Sequence, residues 1–196
     1  MAHLTASNIV FIVGFGIYAT IRGVFERRAK GRSGVRGIHG TELILIAVLF
    51  LGTVLLPALY LFTPLLSAAD YRSPAWALPT GAALMAAALW LFWRSHVDLG
   101  PNWSVTLEVR EGQQLVTHGV YSRIRHPMYA AIWLFSAAQA LLLANWVAGY
   151  AALLTFALMY FVSIPREERM MLDSFGQRYS AYMAQTGRLL PRLSFR

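Results

Sequence analysis

The chain has 196 residues, 57% of them hydrophobic and 13% charged, where an ordinary soluble domain is about 25% charged. That is more apolar surface than one soluble core can bury, so a water-soluble domain is excluded and an integral membrane protein is expected. There is no cysteine and the formal net charge is +8, which removes disulfides, thiolate nucleophiles and cysteine metal sites and leaves the basic excess to be explained by its distribution.

The first apolar run covers residues 4–21. The preceding "MAHLTASN" has no basic segment and no small-residue cleavage pattern follows, so this run is expected to stay in the mature protein. Its "GFGIYA" fits a loose G-x-G-x-x-A pattern, but no strand precedes it. Small residues that let helices approach closely are the better reading. The second run, residues 43–66, contains Gly52, Pro57 and Pro64 and allows a tilt or a kink at Pro57. The third, residues 76–93, carries "GAALMAAALW", again a small-residue contact surface. The fourth and fifth, residues 128–144 and 146–164, are separated only by Asn145 and are expected to form a tight helical hairpin. The expected fold is therefore all-α: one membrane domain over residues 1–196 with five transmembrane helices. A cytoplasmic loop and an amphipathic C-terminal helix complete it.

Lys and Arg set the orientation. With these five spans, 16 of the 17 fall on one side and only Arg72 on the other. The positive-inside rule puts the basic side, and the C-terminus, in the cytoplasm and the N-terminus outside. Arg123 and Arg125 read as headgroup anchors of this kind. A nucleic-acid role is not expected, since no basic module interleaved with aromatics appears. His39, His96 and His118 lack a metal-ligand spacing, so no metal site is expected. The two long polar segments, residues 94–127 and 165–196, share the cytoplasmic side, and any chemistry belongs there.

Two stretches stand out in those segments. In "GVYSRIRHPMYAAIWLF" Pro127 suits the first position of a helix, which puts His126 at the cap. Tyr129 follows three residues later on the same face. The ring of His126 and the free N–H groups of the first turn read as an anion site suited to a carboxylate; an interfacial belt of Tyr, Arg and His is the alternative. In "PREERMMLDSFGQRYSAY" Met171, Phe175, Tyr179 and Tyr182 recur on one face of an amphipathic helix. Pro165 marks the start of that helix. Glu167 and Glu168 either bind a cation or ribose hydroxyls or complement the helix dipole.

Taken in order, "QQLVTHGVYSRIRHPMY", the hairpin, "PREERMML", "FGQRYSAY" and "TGRLLPRL" resemble the isoprenylcysteine carboxyl methyltransferase family. The likeness covers roughly residues 98–193, and the compact five-span layout is closest to the small prokaryotic members. The resemblance implies an S-adenosyl-L-methionine-dependent methyltransferase of the prokaryotic cytoplasmic membrane, built from membrane helices. It implies that Gln113, Gln114, Leu115 and Val116 line the cofactor, that Tyr121, His126, Pro127, Met128 and Tyr129 continue the pocket, and that Glu167 closes it. The acceptor would be a lipid-like or prenylated small molecule reached among the membrane lipids. A prenylcysteine carboxylate is the first choice, and a phospholipid amine or a thiol the alternative. A nicotinamide-dependent membrane reductase and a non-enzymatic membrane protein are the rival classes. In the family, an arginine four residues before the first Glu of the pair is linked to substrate; here that position is Ser163. Arg166, three residues on, is expected to take over its role, so that Arg166, Glu167 and Glu168 form the catalytic set.

Overall fold

The computed structural model describes residues 4–29, 40–103 and 114–192. Among these residues there is no β-sheet, only two isolated bridges. Six helices carry the fold: α1 (Ala6–Ala29), α2 (Gly40–Phe62), α3 (Ala77–Leu99), α4 (Pro127–Leu142), α5 (Trp146–Phe175) and α6 (Gln177–Gln185). Four of them, α1, α2, α3 with its short continuation to Asn102, and α5, are long and apolar enough to cross a membrane. The expected fourth span, α4, has only 16 residues, short of the roughly 20 a perpendicular crossing needs.

The helices meet on small residues. A Cβ at Gly14 would press on Met85 Cγ at 2.6 Å, and one at Gly81 on Leu142 Cγ at 2.8 Å. "GFGIYA" is thus a contact surface through Gly14, as the absence of a preceding strand suggests. Phe11, Met85, Phe135 and Leu142 fill the core between α1, α3 and α4. Leu43, Ile44, Phe50, Leu154 and Phe161 remain exposed, as suits surface that faces lipid instead of water.

Two polar side chains hold this apolar frame. At residues Leu51–Leu55 α2 loosens into a π-turn, just before Pro57, whose ring cannot accept a regular helix behind it. The freed Gly52 carbonyl accepts a hydrogen bond from Gln139 Nε2 at 2.9 Å, and the same amide reaches Ala148 O at 2.8 Å. A Cβ at Gly52 would stand 2.8 Å from Ala151 O, so only glycine lets α2 lie this close to α5. At the hairpin, Asn145 Oδ1 caps α5 by accepting from the Val147 and Ala148 amides at 3.0 and 2.9 Å. Its Nδ2 donates to Leu66 O and to Asp70 Oδ1, both at 2.7 Å.

Three boundaries differ from the sequence expectation. Pro165 does not begin a helix; α5 runs through it unbroken to Phe175. Ser163 and Ile164 are buried there, and packing carries the helix past the missing N–H. The amphipathic stretch is not one helix either. Gly176, at φ +54°, stops α5 and turns the chain into α6; that left-handed conformation suits glycine. Finally, Arg94 to Leu99 belong to α3, so the intervening loop begins only after them.

Candidate active site

One end of the bundle holds a cavity of about 450 Å³, within the range of roughly 300–1,000 Å³ typical of small-molecule sites. Its floor is the segment leading into α4. His126 is the N-cap of α4 and Pro127 its first residue. The chain returns after α6 to pair with this segment: the Arg125 amide donates to Gly187 O at 2.9 Å, the His126 amide to Arg188 O at 3.0 Å, and the Gly187 amide to Arg123 O at 3.1 Å. Gly187 has no room for a side chain, because a Cβ would overlap the Leu190 carbonyl. Asp98, at the end of α3, fixes the other side of the floor. It pairs with Arg94 at 3.0 Å and accepts the Val120 amide at 2.8 Å.

The two carboxylates of the "REE" stretch have separate surroundings. Glu168 turns away from the cavity lining and is the hub of an ion cluster. Arg125 Nε donates to its Oε1 at 2.8 Å, Arg188 Nε to Oε1 at 3.1 Å, and Arg188 Nη2 to Oε2 at 2.7 Å. Hydrogen bonding to Glu168 holds the Arg188 guanidinium above the usual arginine range. Arg125 also donates to Thr186 O at 2.9 Å. Its side chain is 11% exposed, so it is a buried structural partner and not the headgroup anchor expected from the sequence. Glu167 faces the cavity instead. Its Oε2 lies 3.9 Å from His126 Nδ1 and has no hydrogen-bond partner.

Every expected cofactor residue that falls within the described chain lines this one cavity: Gln114, Leu115, Val116, Tyr121, His126, Pro127, Met128, Tyr129 and Glu167. Gln113 lies outside the described residues. Aromatic faces dominate the remaining wall, with Tyr18, Trp103, Tyr179 and Tyr182. Burial pushes the Tyr121, Tyr179 and Tyr182 phenols above the ordinary tyrosine range, so they stay neutral. The Tyr182 hydroxyl donates a hydrogen bond to the Tyr121 backbone carbonyl at 2.6 Å.

A smaller lobe of about 140 Å³ adjoins the cavity between α2 and α5, lined by Glu42, Leu45, Ser163, Arg166, Glu167 and Met170. Arg166 borders this lobe and not the main cavity. Glu42 and the structural role of Arg188 were missed in the sequence. Glu42 had a signal: it is a lone acid at the head of an otherwise uncharged span, where an ionisable residue is costly unless used. Arg188 stood inside "TGRLLPRL" with nothing local to name its partner 20 residues upstream.

Fold and site together define a membrane-helix protein with an aromatic, charged cavity closed by its own C-terminal tail. A family model for phospholipid methyltransferase matches residues 76–178, more than half of the chain. The chain belongs to that family. It is 36% identical over 90 residues to the protein-S-isoprenylcysteine O-methyltransferase of Tribolium castaneum, a match covering 46% of this chain and 32% of that one. It is 32% identical over 78 residues to protein-S-isoprenylcysteine O-methyltransferase A of Arabidopsis thaliana, covering 40% of each. These matches span between about a third and under half of the relatives' length. The solved structure of the eukaryotic intramembrane Ras methyltransferase, isoprenylcysteine carboxyl methyltransferase, superposes with a TM-score of 0.56 at 26% identity. That likeness covers 93% of this chain and 67% of that one. The resemblance read from the sequence stands, and the chain is a membrane protein.

Proposed function

We propose that this protein transfers a methyl group from S-adenosyl-L-methionine to a lipid-like acceptor, by carboxyl O-methylation of a prenylcysteine-like substrate. The observation that carries this is the convergence, in one cavity, of residues 114–116, 121, 126–129 and Glu167. The donor supplies an electrophilic methyl on a sulfonium. The residues present suit such a group: tyrosine and tryptophan faces favour a cation, and Glu167 adds an unpartnered carboxylate oxygen.

The protein's own work is positioning and exclusion of water. A carboxylate acceptor is already ionised at neutral pH and needs no general base. Arg166 orients it from the lobe between α2 and α5, the side from which a lipid-like molecule arrives. Glu168 holds His126, Arg125 and the tail in place. The site and the C-terminus face the cytoplasm, with the N-terminus outside.

The test is methyl transfer from radiolabelled S-adenosylmethionine to N-acetyl-farnesylcysteine by the protein purified in detergent. Label released as methanol by mild base identifies the ester. A second reading, methylation of a phospholipid amine, is favoured by Ser163 and Glu42 in the lobe. It is supported if that analogue stays unlabelled while a lipid amine takes up base-stable label. No transfer to either acceptor overturns the function.

A further inference from the structure

We propose that Glu42 recognises a protonated amine on the acceptor, so that the preferred acceptor is a prenylated amino acid with a free α-amino group; this rests on reading the lobe between α2 and α5 as the place of the acceptor's head.

Glu42, Leu45, Ile46 and Leu49 line the cavity from α2. Steps of three, four and seven residues from Glu42 put them on one stripe of the helix. Met159, Ser163, Glu167 and Met170 line it from α5, again at helical spacing. The two stripes border one space and are ordered alike. Leu49 and Met159, deeper in the spans, make its inner part apolar. Glu42, Ser163 and Glu167 make its outer part polar. A molecule seated between the stripes has an apolar chain at one end and a charged head at the other.

The chemistry of that head follows from the groups that receive it. Glu42 and Arg166 border the same lobe of about 140 Å³. Among the described residues neither side chain has a hydrogen bond or an ion pair, with the other or with a third group. An acid in the first turn of α2 also complements the helix dipole, but that role asks for no cavity. Glu42 is half-buried and lines the cavity and the lobe alike. An unpaired carboxylate and an unpaired guanidinium around one small space suit a head that carries both charges: a carboxylate for Arg166 and an ammonium for Glu42. An N-acylated cysteine offers no cation and leaves Glu42 unpaired.

An ammonium held by Glu42 keeps its lone pair in an N–H bond and cannot take a methyl group. The carboxylate remains the nucleophile. One of its oxygens forms the new oxygen–methyl bond as the sulfur–methyl bond breaks, the electron pair stays on sulfur, and no proton moves.

The experiment measures kcat/KM for methyl ester formation by the whole protein in detergent with three acceptors. These are S-farnesylcysteine, its N-acetyl form, and S-farnesyl-mercaptopropionate, which lacks the amino group altogether. S-farnesylcysteine should exceed both others about tenfold or more, the effect of one charge-assisted hydrogen bond. Glu42→Gln should bring it down to about the level of the desamino acid. The comparison of three acceptors on unmodified protein needs no variant, so misfolding of Glu42→Gln does not blunt it. Equal kcat/KM for S-farnesylcysteine and the desamino acid, or a preference for the N-acetyl form, overturns the assignment and leaves the proposed function standing. An equal loss on all three acceptors in Glu42→Gln, the result of a merely structural role, does the same. Base-stable label on S-farnesylcysteine marks methylation at nitrogen and also overturns the assignment. No ester from any of the three overturns both the assignment and carboxyl methylation.

Discussion

Arg188 grips Glu168 with two nitrogens, Nε on Oε1 at 3.1 Å and Nη2 on Oε2 at 2.7 Å. That contact joins the C-terminal tail to α5 directly behind His126. The Glu168 side chain is 9% exposed and that of Arg188 46%, so the two partners are unequal. Glu168→Ala strands the buried Arg125 and should cost about 3–5 kcal/mol. Arg188→Ala removes a half-exposed partner and should cost about 1 kcal/mol. Thermal unfolding in detergent measures the order; an equal or reversed order contradicts the hub.

Asn145 makes four hydrogen bonds at the hairpin. Asn145→Ala removes the cap of α5 and two hydrogen bonds to the connection between α2 and α3 together. The expected loss is about 2–4 kcal/mol, read as a lower unfolding temperature. A loss within about 0.5 kcal/mol, the usual range for surface changes, would show that the hairpin is held elsewhere.

Arg166 borders the lobe beside Ser163. If it holds an acceptor carboxylate by a bidentate contact, Lys cannot replace it. Arg166→Lys should lower turnover on N-acetyl-farnesylcysteine severalfold and leave S-adenosylhomocysteine affinity nearly intact. Equal rates for the two proteins return Arg166 to a headgroup anchor.

Much of this was legible in the sequence because it is local. His126, Pro127 and Tyr129 lie within four positions and share one helix start, so a cap and a face could be read from spacing alone. Asn145 stood alone between two apolar runs. What failed was long-range. Pro165 looked like a helix start because local propensity says so, yet burial of Ser163 and Ile164 overrides it. Arg125 looked like an anchor because its partners, Glu168 and Thr186, are 43 and 61 residues away. Gln139 gave no signal, since its acceptor is a carbonyl freed by a π-turn 87 residues earlier.

The basic asymmetry makes a topological prediction. A reporter fused to the C-terminus and active only in the periplasm should be silent, and one active only in the cytoplasm should be bright. The reverse pattern contradicts the proposed orientation and moves the site to the opposite face of the membrane.

The proposed function requires that the cavity of His126 and Glu167 bind the methyl donor. Isothermal titration of the detergent-purified protein with S-adenosylhomocysteine tests it most directly. Saturable binding is expected, about tenfold or more weaker in His126→Ala and in Glu167→Ala, and unchanged in Arg28→Ala, whose side chain lies outside the cavity against Phe25. Absence of binding, or an affinity untouched by both cavity substitutions, would contradict it.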